Sequence, residues 1–255
     1  MGLKTIYIDH KKRIDTALVL LAAIGLIGYI NNFFIIWLVL GAVYLISFYE
    51  ANKLFGVEDN SLYAYAALLW IATLFYPYGD DLFVIAMITG AALVAYDPQK
   101  HHWKNFLPFI YPTAGMLFLL TLYKDYDIAA IVWLIAVVAG ADVGAYVVGK
   151  SFGKTKFSET SPNKTMEGVV GGIASATLIG FWFGIGIVDV EKAIIISLLV
   201  AVISVFGDLF ESYLKRQAGV KDSGTILPGH GGMLDRIDGF LFGSIVMVVL
   251  LRGLV

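Results

Sequence analysis

Apolar residues run along this chain in long blocks separated by short polar stretches. A membrane helix needs about 17–25 mostly apolar residues. Nine stretches meet or approach that length, near 14–30, 33–49, 62–76, 82–96, 106–123, 128–149, 168–188, 193–214 and 237–254. The third and fourth are the shortest, so short, tilted or partly re-entrant segments are expected there. The basic cluster Lys11-Lys12-Arg13 precedes the first block, and no small-residue cleavage site follows it. That block is therefore read as a first span rather than a leader. The pattern predicts an all-α, polytopic membrane protein with about nine transmembrane helices.

The connections sort by parity. One set comprises the N-terminus, 50–61, 97–105, 150–167 and 215–236. The other comprises Asn31-Asn32, 77–81, 124–127, 189–192 and the C-terminus. Of the 18 Lys and Arg residues, all but Lys124, Lys192 and Arg252 fall in the first set. The positive-inside rule then puts the N-terminus and both long loops in the cytoplasm. The expected localisation is an integral membrane protein of a bacterial inner membrane, with its chemistry facing the cytoplasm.

Composition agrees with the pattern. The chain has 255 residues, of which 59% are hydrophobic and 15% charged, and its mean hydropathy is +0.80. Soluble domains carry about 25% charged residues, so a soluble enzyme, a disordered protein and a nucleic-acid binder are excluded. The net charge of −2 adds nothing, and the absence of cysteine removes disulfides, thiolate metal sites and cysteine nucleophiles. No repeat is visible, so 1–255 reads as a single membrane domain. Within it, 1–127 forms N-terminal scaffold spans and 128–255 carries the catalytic spans and loops.

The informative residues are polar groups inside or beside spans. Asp142 lies seven residues before the end of the sixth block, roughly 10 Å below the boundary at 1.5 Å per residue. A lone carboxylate there costs on the order of 3 kcal/mol, so it needs a cavity, a cation or a partner; a helix–helix hydrogen bond is its plainer use. Asp208, Glu211, Ser212 and Lys215 follow i, i+3, i+4, i+7 and share one helical face at the end of the eighth block. The glycine-rich loop after it holds Lys221, His230, Gly231 and Gly232, and leads to Asp235, Arg236 and Asp238. Carboxylates without thiolates favour a hard cation such as Mg²⁺. Acids, an Arg and a His beside glycines make a constellation suited to phosphate and metal. The loop 150–167 adds lysines and the run Ser161-Pro162-Asn163-Lys164-Thr165, which could cap the seventh span and hold an anion at its N-terminus. The spacings Gly140–Gly144 and Gly180–Gly184 suit close helix packing.

Residues 212–238 read Ser-x-x-Lys-Arg-x4-Lys-Asp-x-Gly-x-x-Leu-Pro-x-His-Gly-Gly-x-x-Asp-Arg-x-Asp. This resembles the signature of the phosphatidate cytidylyltransferase (CDP-diacylglycerol synthase) family. Asp142-Val143-Gly144-Ala145-Tyr146 with Gly149-Lys150, and Ser161-Pro162-x-Lys164-Thr165-x-Glu167-Gly168, are similar to the same family. The resemblance spans about 142–239; before it, only the hydrophobic spans match. Asn163 stands where a Lys is common, Met166 where a Trp is common and Gly239 where a Ser is common.

The resemblance implies a membrane nucleotidyltransferase that converts CTP and phosphatidic acid into CDP-diacylglycerol and pyrophosphate. It also implies Mg²⁺, a second metal position open to K⁺, and a homodimer. On that footing Asp208, Asp235 and Asp238 are expected as metal ligands, with Asp142 a further candidate. Lys215 and Arg236, with Arg216 and Lys221, are expected to neutralise phosphates. Ser161, Lys164, Thr165, Ser212, His230, Gly231 and Gly232 are expected to bind substrate. Two other readings remain open at this point: a CTP-dependent lipid-alcohol kinase, and a cation-coupled transporter using Asp142 and Asp208.

Overall fold

The computed structural model describes residues 18–19, 21–98, 102–229 and 231–254. The helices are α1 (Leu21–Ile30), α2 (Phe33–Phe55), α3 (Ser61–Ala72), α4 (Asp81–Tyr96), the short α5 (Leu107–Ile110), α6 (Thr113–Phe152), α7 (Met166–Gly184), α8 (Val190–Gln217) and α9 (Leu234–Leu254). The described residues contain two isolated β-bridges and no strand. Five helical stretches among them are long and apolar enough to cross a membrane; α1, α3 and α4 are shorter apolar helices. The chain is an all-α polytopic membrane protein. Large side chains such as Leu38, Leu68, Phe75, Ile88, Leu178 and Trp182 lie exposed on its outside, as a lipid-facing surface requires.

Local chemistry sets the helix ends. Asn31 adopts a left-handed φ of 42° and stops α1. Asn32 then caps α2, its side chain accepting from the N–H groups of Phe34 (3.0 Å) and Ile35 (3.3 Å). Gly56, with φ of 66°, terminates α2. The helix thus runs six residues past the expected 33–49, because Phe48, Ala51 and Leu54 continue its buried face. That extension places Glu50, expected in a loop, inside a helix. Helices α3 and α4 have 12 and 16 residues, or about 18 and 24 Å at 1.5 Å per residue. Both fall short of the roughly 30 Å hydrocarbon core, in line with the expected short segments.

The blocks at 106–123 and 128–149 share one long helix broken at Asp127, which has φ of 61° and ψ of −176°. The break folds α6 into a hairpin. Gly115 abuts Leu241 and Asp125 pairs with Arg252, so the first arm runs with α9. Gly239 abuts Val138 and Gly243 abuts Leu134, so the second arm runs against it. The Asp127 carboxylate accepts from the N–H of Ile128 (2.6 Å) and from Asn31 Nδ2 (2.9 Å), which caps the second arm. Two spans therefore meet at a single residue.

The two sets of connections gather at opposite ends. At one end Asn31 meets Asp127, Asp80 and Asp125 meet Arg252, and Trp133 packs beside Gly184 and Ala193. At the other, Asn105 donates to Asp59, Glu50 reaches the 223–234 segment, and Lys164 pairs with Asp208. The described bases outside Lys124, Lys192 and Arg252 belong to this second end. The first 17 residues, with the expected cytoplasmic N-terminus and the start of the first span, lie outside the described residues.

Glycines allow the helices that build the basic end to touch. A Cβ on Gly144 would lie 3.1 Å from Gly172 Cα, one on Gly140 3.2 Å from Ala176 Cα, and one on Gly207 2.6 Å from the Asp238 carbonyl oxygen. The spacings at 140–144 and 180–184 serve packing, as expected.

Gly115 gives a test of this packing. A Cβ there would sit 2.6 Å from backbone atoms of Leu241, so Gly115→Ala must push α6 from α9. Overpacking of that kind costs roughly 1–3 kcal/mol. The midpoint of thermal unfolding in detergent should fall for Gly115→Ala. It should hold or rise slightly for Gly25→Ala, whose Cβ meets nothing within 4 Å.

Candidate active site

Between α6, α7, α8 and the 153–165 loop lies a cavity of about 480 Å³. Asp142, Ser161, Lys164, Thr165 and Asp208 line it, so five residues singled out from the sequence on three separate segments meet there. The loop is folded tightly enough to aim them. Phe157 N–H donates to the Lys164 carbonyl, and Met166 N–H to that of Thr155, both at 2.9 Å. Glu167 accepts from the N–H groups of Lys154 and Thr155 and from the Thr155 hydroxyl. Thr165 Oγ1 accepts from Gly168 N–H at 3.1 Å and caps α7, the role foreseen for this run. Asn163 also lines the cavity. The Lys164 ammonium pairs with Asp208 Oδ2, and the Ser212 hydroxyl donates to Asp208 Oδ1 at 3.3 Å.

A second cluster lies beside the cavity, where α8 meets the start of α9. Lys215 Nζ stands 2.5 Å from Glu211 Oε2 and 2.6 Å from Asp235 Oδ1. Asp235 Oδ2 accepts from Ser223 N–H (2.9 Å), Ser223 Oγ (2.9 Å) and Gly232 N–H (2.7 Å). Both oxygens of Asp235 are therefore engaged by protein donors. Gly231 has φ of 86°, and a Cβ there would meet Asp235 Oδ2 at 2.7 Å, so a side chain is excluded on two counts. The Gly232 N–H, expected to cradle a phosphate, is directed at Asp235.

The remaining expected residues are less gathered. Asp238 hydrogen-bonds the adjacent Gly239 N–H at 2.7 Å and lies within electrostatic reach of Asp208, Glu211 and Asp142. Arg236 is exposed, and acts on Asp142 through its charge. Arg216 is exposed and donates to the carbonyl of Val220 at 3.1 Å, closing the end of α8. Lys221 is exposed on the following loop. His230 lies outside the described residues.

Two acids in the cluster were not singled out as site residues by sequence reasoning. Glu211 shares the helical face noticed there, and the i, i+4 spacing to Lys215 was its signal. Glu50 carries no sequence signal: it sits at the edge of an apolar block, remote from the signature. It is 2% exposed and accepts from Met233 N–H (3.0 Å), Leu234 N–H (2.8 Å) and Ser223 Oγ (3.1 Å).

The donor set suits a hard cation in its chemistry. Asp142 and Asp208 line the cavity with Lys150 and Lys164, and Glu211, Asp235 and Asp238 lie beside it with Lys215 and Arg236, so five acids stand against four bases and all five offer oxygen. Such an excess of carboxylates beside apolar spans calls for a compensating positive charge. Among the described residues no three acids or histidines converge closely enough to enclose an ion as they stand. Asp142 and Asp208 open onto the cavity, Asp208 sharing its oxygens with Lys164 and Ser212, whereas Asp235 lies outside it and would have to give up donors on both oxygens.

The fold and the site define a polytopic membrane protein with an acid-lined, lysine-bearing cavity at its basic end. Residues 11–254 match the model of the Cytidylyltransferase family, and the chain belongs to that family. Its curated relatives include the phosphatidate cytidylyltransferase of Helicobacter pylori strain J99, 45% identical over 245 residues, covering 95% of this chain and 92% of the relative. The phosphatidate cytidylyltransferase of Thermotoga maritima is 34% identical over 96% of this chain and 97% of its own length. That of Pseudomonas aeruginosa is 35% identical over 94% and 96%. The relationship thus extends through the first half of the chain, where sequence reasoning had only matched hydrophobicity. The kinase and transporter readings draw no support from these relatives.

Lys215 supplies the test of the second cluster. Glu211 is fully buried and its charge is met by this ammonium. Removing one partner of a buried pair costs roughly 3–5 kcal/mol, while an apolar replacement of both is near neutral. Lys215→Ala should unfold at a clearly lower temperature in detergent. Lys215→Met combined with Glu211→Leu should recover only the part of that loss owed to Glu211, since Asp235 Oδ1 still loses its ammonium; adding Asp235→Asn should recover more.

Proposed function

We propose that this chain is a phosphatidate cytidylyltransferase, joining CTP and phosphatidic acid to give CDP-diacylglycerol and pyrophosphate. The observation that carries this reading is the cavity in which Lys164, Asp208 and Asp142 face one another, in a chain related over nearly its whole length to proteins of that name. The bases gathered at the cavity end, taken with the positive-inside rule, support a site facing the cytoplasm from a bacterial inner membrane.

A phosphate monoester oxygen of the lipid attacks the α-phosphorus of CTP, the new O–P bond forms, and the bond to the pyrophosphate oxygen breaks. The attacking oxygen is anionic at neutral pH, so no strong general base is required. The difficulty is electrostatic: two polyanions must meet beside a bilayer. Positioning and charge neutralisation therefore supply the catalysis. Lys164 shares its ammonium with Asp208 at rest, and an incoming phosphate competes for it. Ser161 and Thr165 offer hydroxyls on the same loop. Lys215, Arg216, Lys221 and Arg236 supply positive charge where α8 ends and α9 begins, and Ser212, Gly231 and Gly232 offer polar groups on the same segments. The exposed apolar helices let the lipid enter sideways.

The cation best suited to this oxygen set is Mg²⁺, which Asp208, Asp238 and Asp142 would hold, with Asp235 joining them if Lys215 withdraws. When bound it would offset charge on the nucleotide phosphates. A second position for K⁺ and a homodimer belong to the same proposal.

The experiment is a transfer assay in detergent micelles with labelled CTP. Label in lipid-linked CMP, with pyrophosphate released and with loss of both on chelation of Mg²⁺, is the expected result. Release of CDP with a phosphorylated lipid alcohol, or flux of cations without CTP, would overturn the reading. Lys164→Ala should lower kcat/KM roughly tenfold or more, the worth of a hydrogen bond to a charged group. Asp235→Asn should abolish Mg²⁺-dependent turnover in protein that still inserts. Near-normal turnover in that variant would remove Asp235 from the machinery.

A further inference from the structure

Glu50 projects from α2, in the half of the chain expected to be scaffold, into the loop that carries the signature. We propose that it is a positioning residue of the transfer reaction: its carboxylate fixes the 223–234 segment so that Asp235 faces Lys215. The inference rests on the cytidylyl-transfer reading above.

The carboxylate is 2% exposed, and a charge so placed must be met by donors. Two backbone N–H groups meet it, with the Ser223 hydroxyl as a third donor whose single hydrogen is shared with Asp235. Oε1 accepts from Met233 N–H, and Oε2 from Leu234 N–H and the Ser223 hydroxyl. The first N–H groups of a helix have no acceptor within it, and an anion there is favoured by the helix dipole. Helix α9 obtains this cap from a residue 184 positions away in the chain.

The glycines of the loop are shaped around the same side chain. A Cβ on Gly232 would lie 2.6 Å from Glu50 Oε2, and one on Gly224 would meet Glu50 Oε1 and lie 2.9 Å from its Cδ. The signature is thus cut to admit a carboxylate from the other half of the chain. Ser223 carries the effect onward. Its hydroxyl stands 3.1 Å from Glu50 Oε2 and 2.9 Å from Asp235 Oδ2, and it has one hydrogen to offer. Its N–H is also bound to Asp235. A shift of Glu50 therefore moves Ser223, and through it Asp235, which holds Lys215.

Glu50→Gln tests the assignment with almost no change of volume. The amide nitrogen cannot accept, so at least one of the three donors is left facing another donor. The expected result is a fall in kcat of roughly tenfold or more, since misplacement of reacting groups by about 1 Å costs up to ~10²-fold. KM for CTP and for phosphatidic acid should stay within a few-fold, and Glu50→Asp should restore part of the rate. Amide hydrogen exchange over 221–236 should quicken in Glu50→Gln and stay unchanged over α7. An unchanged kcat, or a loss confined to KM, would overturn the assignment, as would unchanged exchange over 221–236. If the glutamine variant fails to fold, Ser223→Ala serves in its place and should lower kcat in the same direction. In the double variant the two losses should not add; additive losses would overturn the shared path. The exchange measurement needs no turnover, so it separates failure of this inference from failure of the wild-type protein to make CDP-diacylglycerol.

Discussion

A carboxylate held among apolar helices has to find donors or a cation, and the basic end of this protein is arranged around that requirement. Asp235 has a lysine on one oxygen and three hydrogen bonds on the other. Glu211 has the same lysine, and Glu50 has the opening turn of α9. Each acid fixes the backbone that satisfies it. The loop from 221 to 233 gains its shape from carboxylates at its back, since it has little apolar surface of its own to bury. Its glycines follow from the close approach of those carboxylates.

Asp208, Asp238 and Asp142 contrast with this satisfied set. They face the cavity or one another, with Lys164 and Ser212 on Asp208 and a single short-range bond on Asp238. The acids thus divide by environment. Of those behind the cavity, Asp235 and Glu50 are well supplied with donors and hold the structure, whereas Glu211 is buried with the shared Lys215 ammonium as its compensation and no hydrogen bond to its oxygens. Those in front retain lone pairs and excess negative charge, which is the condition for taking up a hard cation and, through it, a nucleotide triphosphate. One helical face of α8 carries both kinds, Asp208 toward the cavity and Glu211 toward Lys215.

Much of this was legible in the sequence because a bilayer restricts the options. Long apolar blocks can only be helices there, and the parity of the basic connections matched the two ends that the contacts define. The 161–165 run and the Asp208 face were readable because polar groups beside spans are rare enough to stand out. Three features were not legible. Asp127 turns a hairpin in one residue, which depends on an acceptor that also meets the distant Asn31. The end of α2 was hidden because Glu50 and Asn52 look like loop residues until their burial against other helices is known. The use of Gly232 was hidden because a glycine that admits a phosphate and one that admits a carboxylate are written identically.

Helix α9 shows why the end remote from the cavity bears on the chemistry. At its start the Glu50 carboxylate holds Met233 and Leu234. At its finish Arg252 grips Asp80 through two nitrogens, at 2.5 and 3.3 Å, and Asp125 at 2.8 Å. Between these points Ser244 donates to the Gly115 carbonyl, and Gly207 lets α8 lie against the Asp238 carbonyl. A helix fixed at both ends and in the middle cannot slide or rotate without breaking several polar contacts at once. Asp235 and Asp238 ride on its first turn, so their register against α8 is set by groups about 30 Å apart along a 21-residue helix rising 1.5 Å per residue. The N-terminal helices supply one acid at each end of it, Glu50 from α2 and Asp80 from just before α4. They therefore take part in placing Asp235 and Asp238.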